Sequence, residues 1–217
     1  TNTSGTSTVT TVNASANAVI DTADLFTSRD LEQSVDTSNA EYITLENNKD
    51  ISITCEGVYI ISGTSSETTI TVEAPEDAKV QIVLDNASIT NTDSPAIYVK
   101  SADKVFVTAA EGSVNTFKVT GTFTPDSTVN TDAVIFSKSD LTLNGTGTLN
   151  ITSSKNGITS KDDLKVTGGT WNITSEADGL EANDSIAIAD GSITINANKD
   201  GMHAENDEDN AKGYVYI

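Results

Sequence analysis

Residues 156–202 read NGITSKDDLKVTGGTWNITSEADGLEANDSIAIADGSITINANKDGM, and three pairs within them, Asn156-Gly157, Asp178-Gly179 and Asp200-Gly201, recur at a spacing of 22 residues. An apolar residue follows each pair: Ile158, Leu180 and Met202. Three short alternating runs fill one period, for example Gly157–Ser160, Leu164–Thr167 and Thr170–Thr174, separated by Gly, Asn and Asp turn residues. A repeat of this length cannot bury its apolar side chains alone and must stack on its neighbours. Crossovers between parallel strands are right-handed in nearly all cases. The stretch therefore predicts an all-β chain folded as a right-handed parallel β-helix, with three short strands and about 22 residues per regular coil.

Working outward, the same triplet is read at Val134–Ser137, Leu141–Asn144 and Thr148–Thr152, and more loosely at Ala96–Val99, Val105–Thr108 and Asn115–Val119. Earlier coils are expected at Thr69–Val72, Val80–Leu84 and Ala87–Thr90, and at Tyr42–Leu45, Ile51–Thr54 and Val58–Ile61. This makes about six coils over 41–217. Two insertions, Gly121–Thr131 and Glu205–Lys212, interrupt the rhythm where solenoids often carry function. Residues 1–20, rich in Thr, Ser and Asn, are expected to form a flexible segment behind a removed secretion signal or anchor. Residues 21–40 are expected to form a cap, with a short helix near Thr27–Gln33 lying over the first coil. Ile217 falls inside a strand pattern, so the helix is expected to continue beyond it.

The 217 residues carry 12 Lys plus Arg against 32 Asp plus Glu, a formal net charge of −20. Such a chain disfavours nucleic acid and anionic membranes and attracts divalent cations. Cys55 is the single cysteine, which excludes an intramolecular disulfide. No apolar run is long enough to span a membrane. Together with the N-terminal tail this points to an extracellular chain, free or attached to a cell surface.

Acidic residues fall in two columns at the turns. One contains Asp132, Asn156, Asp178 and Asp200; the other contains Asp103, Asp140, Asp162-Asp163, Asp184 and Asp207. Ionised carboxylates one coil apart, at about 4.8 Å, repel by about 3 kcal/mol at an effective dielectric near 20. Ca²⁺, which takes six to eight oxygen ligands, would neutralise them, and Asp140, Asn156, Asp162, Asp163, Asp178, Asp184 and Asp200 are its candidate ligands. The competing reading is that Asp and Asn favour turns because they bond their own backbone. Tyr98 and Phe136 alternate with the inward-type Ile97 and Ile135, so they are candidates for stacking on a saccharide, near Lys100, Thr159, Glu181 and His203. Trp171 shares its repeat position with Leu149 and Ile193 and is expected in the core.

The segments Pro95–Val107, Asp132–Lys138, Ser160–Leu164 and Gly213–Ile217 resemble the clostridial family of secreted carbohydrate-binding β-helix proteins, the likeness running from about Phe26 to Ile217. The resemblance implies a polysaccharide-lyase-like fold, bound calcium, and binding of cellulose and acidic sugars such as polygalacturonate without established lyase activity. It carries over most directly to Asp162, Asp163, Asp178 and Asp200; Asn156 stands where the family usually has Asp. A polysaccharide-binding protein with Ca²⁺ and no catalytic residues is the leading expectation. A calcium-dependent uronate lyase is the alternative, with Lys138 or Lys161 as base, although neighbouring carboxylates favour their charged form. An adhesin or spacer is the third reading. His203, the single histidine, stands at an outward position, and no constellation for nucleophilic catalysis is present.

Overall fold

The computed structural model describes residues 25–126 and 129–217. The Thr/Ser/Asn-rich segment 1–20 and the start of the expected cap lie outside the described residues. Among the described residues nineteen strands wind into a solenoid with three faces, and every pair of these strands is parallel. The architecture is the right-handed parallel β-helix that the 22-residue repeat predicts.

In chain order the strands are β1 (Glu41–Thr44), β2 (Ile51–Ile53), β3 (Gly57–Ser66), β4 (Ile70–Glu73), β5 (Lys79–Asn91), β6 (Ile97–Ser101) and β7 (Lys104–Ala109), then β8 (Val114–Val119), β9 (Ala133–Ser137), β10 (Asp140–Gly145), β11 (Thr148–Ser153), β12 (Asn156–Ser160) and β13 (Asp163–Val166), and finally β14 (Thr170–Ser175), β15 (Leu180–Ala182), β16 (Ser185–Ile188), β17 (Ser192–Ala197), β18 (Met202–Ala204) and β19 (Tyr214–Tyr216). The first face is a seven-stranded sheet of β2, β4, β6, β9, β12, β15 and β18. The second runs through β7, β10, β13, β16 and β19, and the third through β8, β11, β14 and β17. Long β5 belongs to both, pairing with β7 through Lys79–Leu84 and with β8 through Ser88–Asn91.

The N-terminal coil differs from expectation. The run Tyr42–Leu45 does not open the first face; β1 pairs through Glu41–Thr44 with Tyr59–Ser62 of β3, and β2 takes the first face by pairing with β4. The cause is that β3 turns its corner within one ten-residue strand, with Gly63 at φ 94°, instead of breaking at an Asx turn.

Inward columns form the core. Ile70, Ile97, Ile135, Ile158, Leu180 and Met202 stack on the first face, and Leu149, Trp171 and Ile193 on the third. Burying each such side chain contributes roughly 1.5–3 kcal/mol. Trp171 is 1% exposed, as its repeat position requires, and its Nε1–H donates to the Gly168 carbonyl at 2.7 Å. Stacking is tight at the glycines: a Cβ on Gly157 would lie 2.5 Å from the Gly179 carbonyl oxygen and 2.5 Å from Ile173 Cγ2.

Two of the three faces are covered by the chain itself. The stretch around Thr27–Gln33 is a single turn and not a helix, closed by Thr27 N–H on Asp30 Oδ2 at 2.8 Å and Asp30 N–H on Thr27 Oγ1 at 3.2 Å. It straps the second face across the middle coils, where the sequence suggested a cap on the first. Asp30 is fully buried there between Lys104 Nζ at 3.1 Å and Lys165 Nζ at 3.7 Å, with Thr142 Oγ1 donating at 3.1 Å. Asn144 and Gly145 bond Glu32 and Gln33, each at 2.9 Å, and Arg29 lies 4.7 Å over the Phe106 ring. Two lysines aligned on an outward face are what a buried carboxylate needs, and they fix where the strap docks. On the first face, the insertion after β8 supplies Val129, which packs on Tyr98, Ala133 and Phe136.

Candidate functional site

Register places Thr71, Tyr98, Phe136, Thr159, Glu181 and His203 in one outward column on the first face. Tyr98 and Phe136 point away from the solenoid as expected and meet edge to face, with centroids 5.9 Å apart at 71°. The expectation that they form an open stacking platform is corrected by their burial: Tyr98 is 7% exposed and Phe136 0%. The insertion covers them, and Tyr98 Oη donates to Asp126 Oδ2 at 2.6 Å. Burial, then the Asp126 carboxylate, pushes the Tyr98 phenol up and keeps it a donor.

Beside this column runs a ladder of lysines. Lys138 N–H bonds the Val99 carbonyl at 3.0 Å and Lys161 N–H the Ser137 carbonyl at 2.8 Å, so Lys100, Lys138 and Lys161 occupy successive rungs. The ammoniums of Lys100 and Lys138 sit 5.6 and 5.8 Å from the Tyr98 ring centre, and that of Lys161 sits 5.8 Å from Phe136. The rings hold the charges in a row by cation–π attraction. Lys100 pairs with Glu73 at 3.6 Å and Lys161 with Glu181 at 3.5 Å. A recess of about 370 Å³, lined by Glu76, Lys100, Asp103, Lys138, Ser139 and Asp162, joins the ladder to the acidic turn.

The two acidic columns differ in chemistry. In the first, Asn156 Oδ1 accepts the Asp178 N–H and Asp178 Oδ1 accepts the Asp200 N–H, both at 3.0 Å. One oxygen per rung is thus used by the next coil, which is the turn chemistry of Asx residues. Glu181, which the sequence did not single out as a ligand, gathers Asn156 Nδ2 at 2.7 Å and Thr159 Oγ1 at 2.8 Å. His203 lies 3.4 Å from Asp200 and 3.2 Å from Glu205; burial opposes its protonation, but these acids and Asp178 outweigh it and raise its pKa.

In the second column, the Asp162 carboxyl group stands close enough to those of Asp184, Asp140 and Asp163 for all three to act on its protonation. Burial, then the neighbouring Asp184 carboxyl, pushes Asp162 up to about 6. Asp140 is also raised, by burial above all, although Lys104 stands 3.5 Å away. Asp184 is lowered, because Lys212 of the second insertion and Asp162 outweigh the effect of burial. Asn206 Nδ2 also donates to Asp184 at 3.0 Å, so that insertion folds back on this corner. Among the described residues no three His, Cys, Asp or Glu side chains converge as a ready ligand set.

Residues 47–217 match the family described as carbohydrate-binding domain-containing protein. The chain belongs to this family. A carbohydrate-binding domain-containing protein of Acetivibrio thermocellus is 36% identical over 124 residues, which are 56% of this chain and 43% of that protein. The chain thus spans less than half the length of this relative. A solved structure, described as the polysaccharide lyase-like protein from C. thermocellum in a gadolinium derivative, superposes with a TM-score of 0.76 at 34% identity, covering 81% of this chain and 78% of that one. Among the described residues no helix is long and apolar enough to cross a membrane.

The family's carbohydrate-binding character directs attention to outward surfaces on which an extended glycan could cross several coils. Beside the lysine ladder, Asp162 lies near Asp184, Asp140 and Asp163, whose carboxylate oxygens are hard donors of the kind Ca²⁺ takes, although no three of them converge among the described residues. Both columns commit oxygens to the next coil: Asn156 and Asp178 accept backbone N–H groups at 3.0 Å, Asp140 Oδ1 accepts the Asp163 N–H at 3.4 Å, and Asp163 Oδ1 accepts the Ser185 hydroxyl at 2.6 Å.

Proposed function

We propose that the chain is an extracellular bacterial module that holds acidic polysaccharide on its first face without cleaving it, with Ca²⁺ at the neighbouring acidic corner. The observation that carries this reading is the row of Lys100, Lys138 and Lys161, one ammonium per coil in a chain of net charge −20. A glycan running along the solenoid axis meets these charges at the coil repeat, about 4.8 Å, so uronate carboxylates can pair with several in turn. Tyr98 and Phe136 act from beneath: they fix the ammoniums instead of stacking on sugar. Asp162 and Asp184, with Asp140 and Asp163 beside them, would hold the cation. When bound, Ca²⁺ supplies positive charge that relieves this corner and can bridge to a uronate carboxylate.

Binding without turnover follows from how the lysines are placed. Lys161 is engaged by Glu181 at 3.5 Å and by the Phe136 ring at 5.8 Å, which orient it toward these partners instead of toward a sugar ring. Affinity gel electrophoresis in polygalacturonate tests the reading. Lys100→Gln/Lys161→Gln should lose most of the calcium-supported retardation while keeping its melting temperature within a degree or two. Unchanged retardation of that variant would refute it.

A further inference from the structure

The two faces that the chain covers are sealed by different chemistry. Over the first face the cover is apolar at its centre, with Val129 against Tyr98, Ala133 and Phe136. Over the second, the strap Thr27–Gln33 is held by ions and hydrogen bonds, and its one apolar side chain, Leu31, is 48% exposed. Beneath the strap, Lys104, Thr142 and Lys165 on β7, β10 and β13 are 7%, 0% and 8% exposed, and each aims a polar atom at the Asp30 carboxylate. Apolar side chains of similar volume often stabilise a fold as well as a buried ion cluster does, so stability alone does not account for this one.

The rest of the strap is read as a peptide. Asn144 Nδ2 donates to the Glu32 carbonyl at 2.9 Å, and the Thr167 hydroxyl donates to the Asp30 carbonyl. The Gln33 amide accepts the Gly145 N–H and donates to the Thr167 carbonyl, both at 2.9 Å, while the Arg29 guanidinium lies over the Phe106 ring. Main-chain carbonyls, a carboxylate, a guanidinium and an amide are thus all recognised within Arg29–Gln33. The receptor side keeps an ionic partner of its own, since Lys104 also pairs with Asp140 at 3.5 Å, which favours a preorganised site. The tether to β1 is loosely held: Ser34 and Asp36–Asn39 are exposed, and Ser38 and Ala40 bond only into local turns. A cleft of about 590 Å³, lined by Val35, Val83, Thr108 and Ala110 among others, lies between that tether and the same face. We infer that the second face is a peptide-binding site, which the strap fills as an internal ligand and thereby closes to an acidic turn of like chemistry, an Arg-Asp pair, from another chain. The site is separate from the first face and does not depend on its glycan reading. A uronate chain offers the carboxylate but no cation for the Phe106 ring.

Fluorescence anisotropy of a labelled peptide of residues 25–37, titrated with the full chain, tests this. Asp30→Ala, whose own strap lacks the carboxylate, should bind the peptide saturably. The parent should bind it at least about tenfold more weakly, because only the fraction of molecules with a lifted strap is competent. Asp30→Asn, which keeps the shape of the side chain, gives the same comparison if Asp30→Ala does not fold. The peptide carrying Asp30→Ala should lose most of its binding, and so should the parent peptide against Asp30→Ala/Lys165→Gln. Equal binding of the two peptides would overturn the inference, as would no binding of the parent peptide to a folded Asp30 variant. Oligogalacturonate that binds Asp30→Ala where the peptide does not would assign the face to a glycan and overturn the peptide assignment.

Discussion

Removing the Asp30 carboxylate should release the strap that covers the second face. In Asp30→Ala, Lys104 and Lys165, whose side chains are only 9% and 10% exposed, lose the anion that sits 3.1 and 3.7 Å from them. Breaking a buried pair by deleting one partner costs about 3–5 kcal/mol. The lower end, near 3 kcal/mol, is expected here, because Lys104 keeps Asp140 at 3.5 Å and a lifted strap lets water reach both ammoniums. The same geometry sets the pH dependence. Burial opposes ionisation of Asp30, but the Thr27 N–H and the lysines outweigh it and lower its pKa. Its contribution is therefore present above the ordinary carboxylate value, about 4, and is lost as the pH falls through the lower folded value. Arg29 is the single arginine of the chain, so an arginine-specific protease reads strap release at one bond. Faster cleavage at Arg29 and a lower urea midpoint are expected for Asp30→Ala, with a smaller change for Asp30→Asn. A variant with the parent midpoint and the parent cleavage rate would refute the buried-pair account.

Trp171→Ala should cost about 3–5 kcal/mol, read from urea denaturation, since the ring is buried between Leu149 and Ile193; wild-type stability would contradict that register. Gly157→Ala should cost about 1–3 kcal/mol or more, because its Cβ meets the Gly179 carbonyl and Ile173 at 2.5 Å, and a thermal melt unchanged from the parent would contradict the tight coil stacking. Asp162 titrates at about 6 when folded, above its unfolded value, so its contribution to stability is present at acid pH and is lost as the pH rises through about 6. Metal-free protein should show this loss relative to Asp162→Asn, and calcium should suppress it, adding about 2.7 kcal/mol at one hundred times its dissociation constant. Parallel melting curves for the two proteins across that range, with and without calcium, would count against the Asp162–Asp184 pair as a cation site.

Much of the solenoid was legible because its signal is local and repeated. The 22-residue spacing of the Asx-Gly pairs fixes the register of β12, β15 and β18, and with it the inward position of Trp171. The first coil departs from the sequence pattern because β3 and β5 round a corner without the Asx turn that marks later coils. Alternation told which way Tyr98 and Phe136 point but not what covers them. That depends on Val129 and Asp126, contacts between a loop and a face that carry no period. The place of the strap is illegible for the same reason, since nothing in Thr27–Gln33 states that Lys104 and Lys165 will align beneath it.

The most direct test of the central claim is to incubate the purified chain with polygalacturonate and calcium, then measure both retained polysaccharide and absorbance of unsaturated uronate in the same sample. Retention that falls when calcium is chelated, with no rise in absorbance, is the predicted result. Sustained product formation abolished by Lys161→Gln would contradict it, and so would a chain that retains no polysaccharide with calcium present.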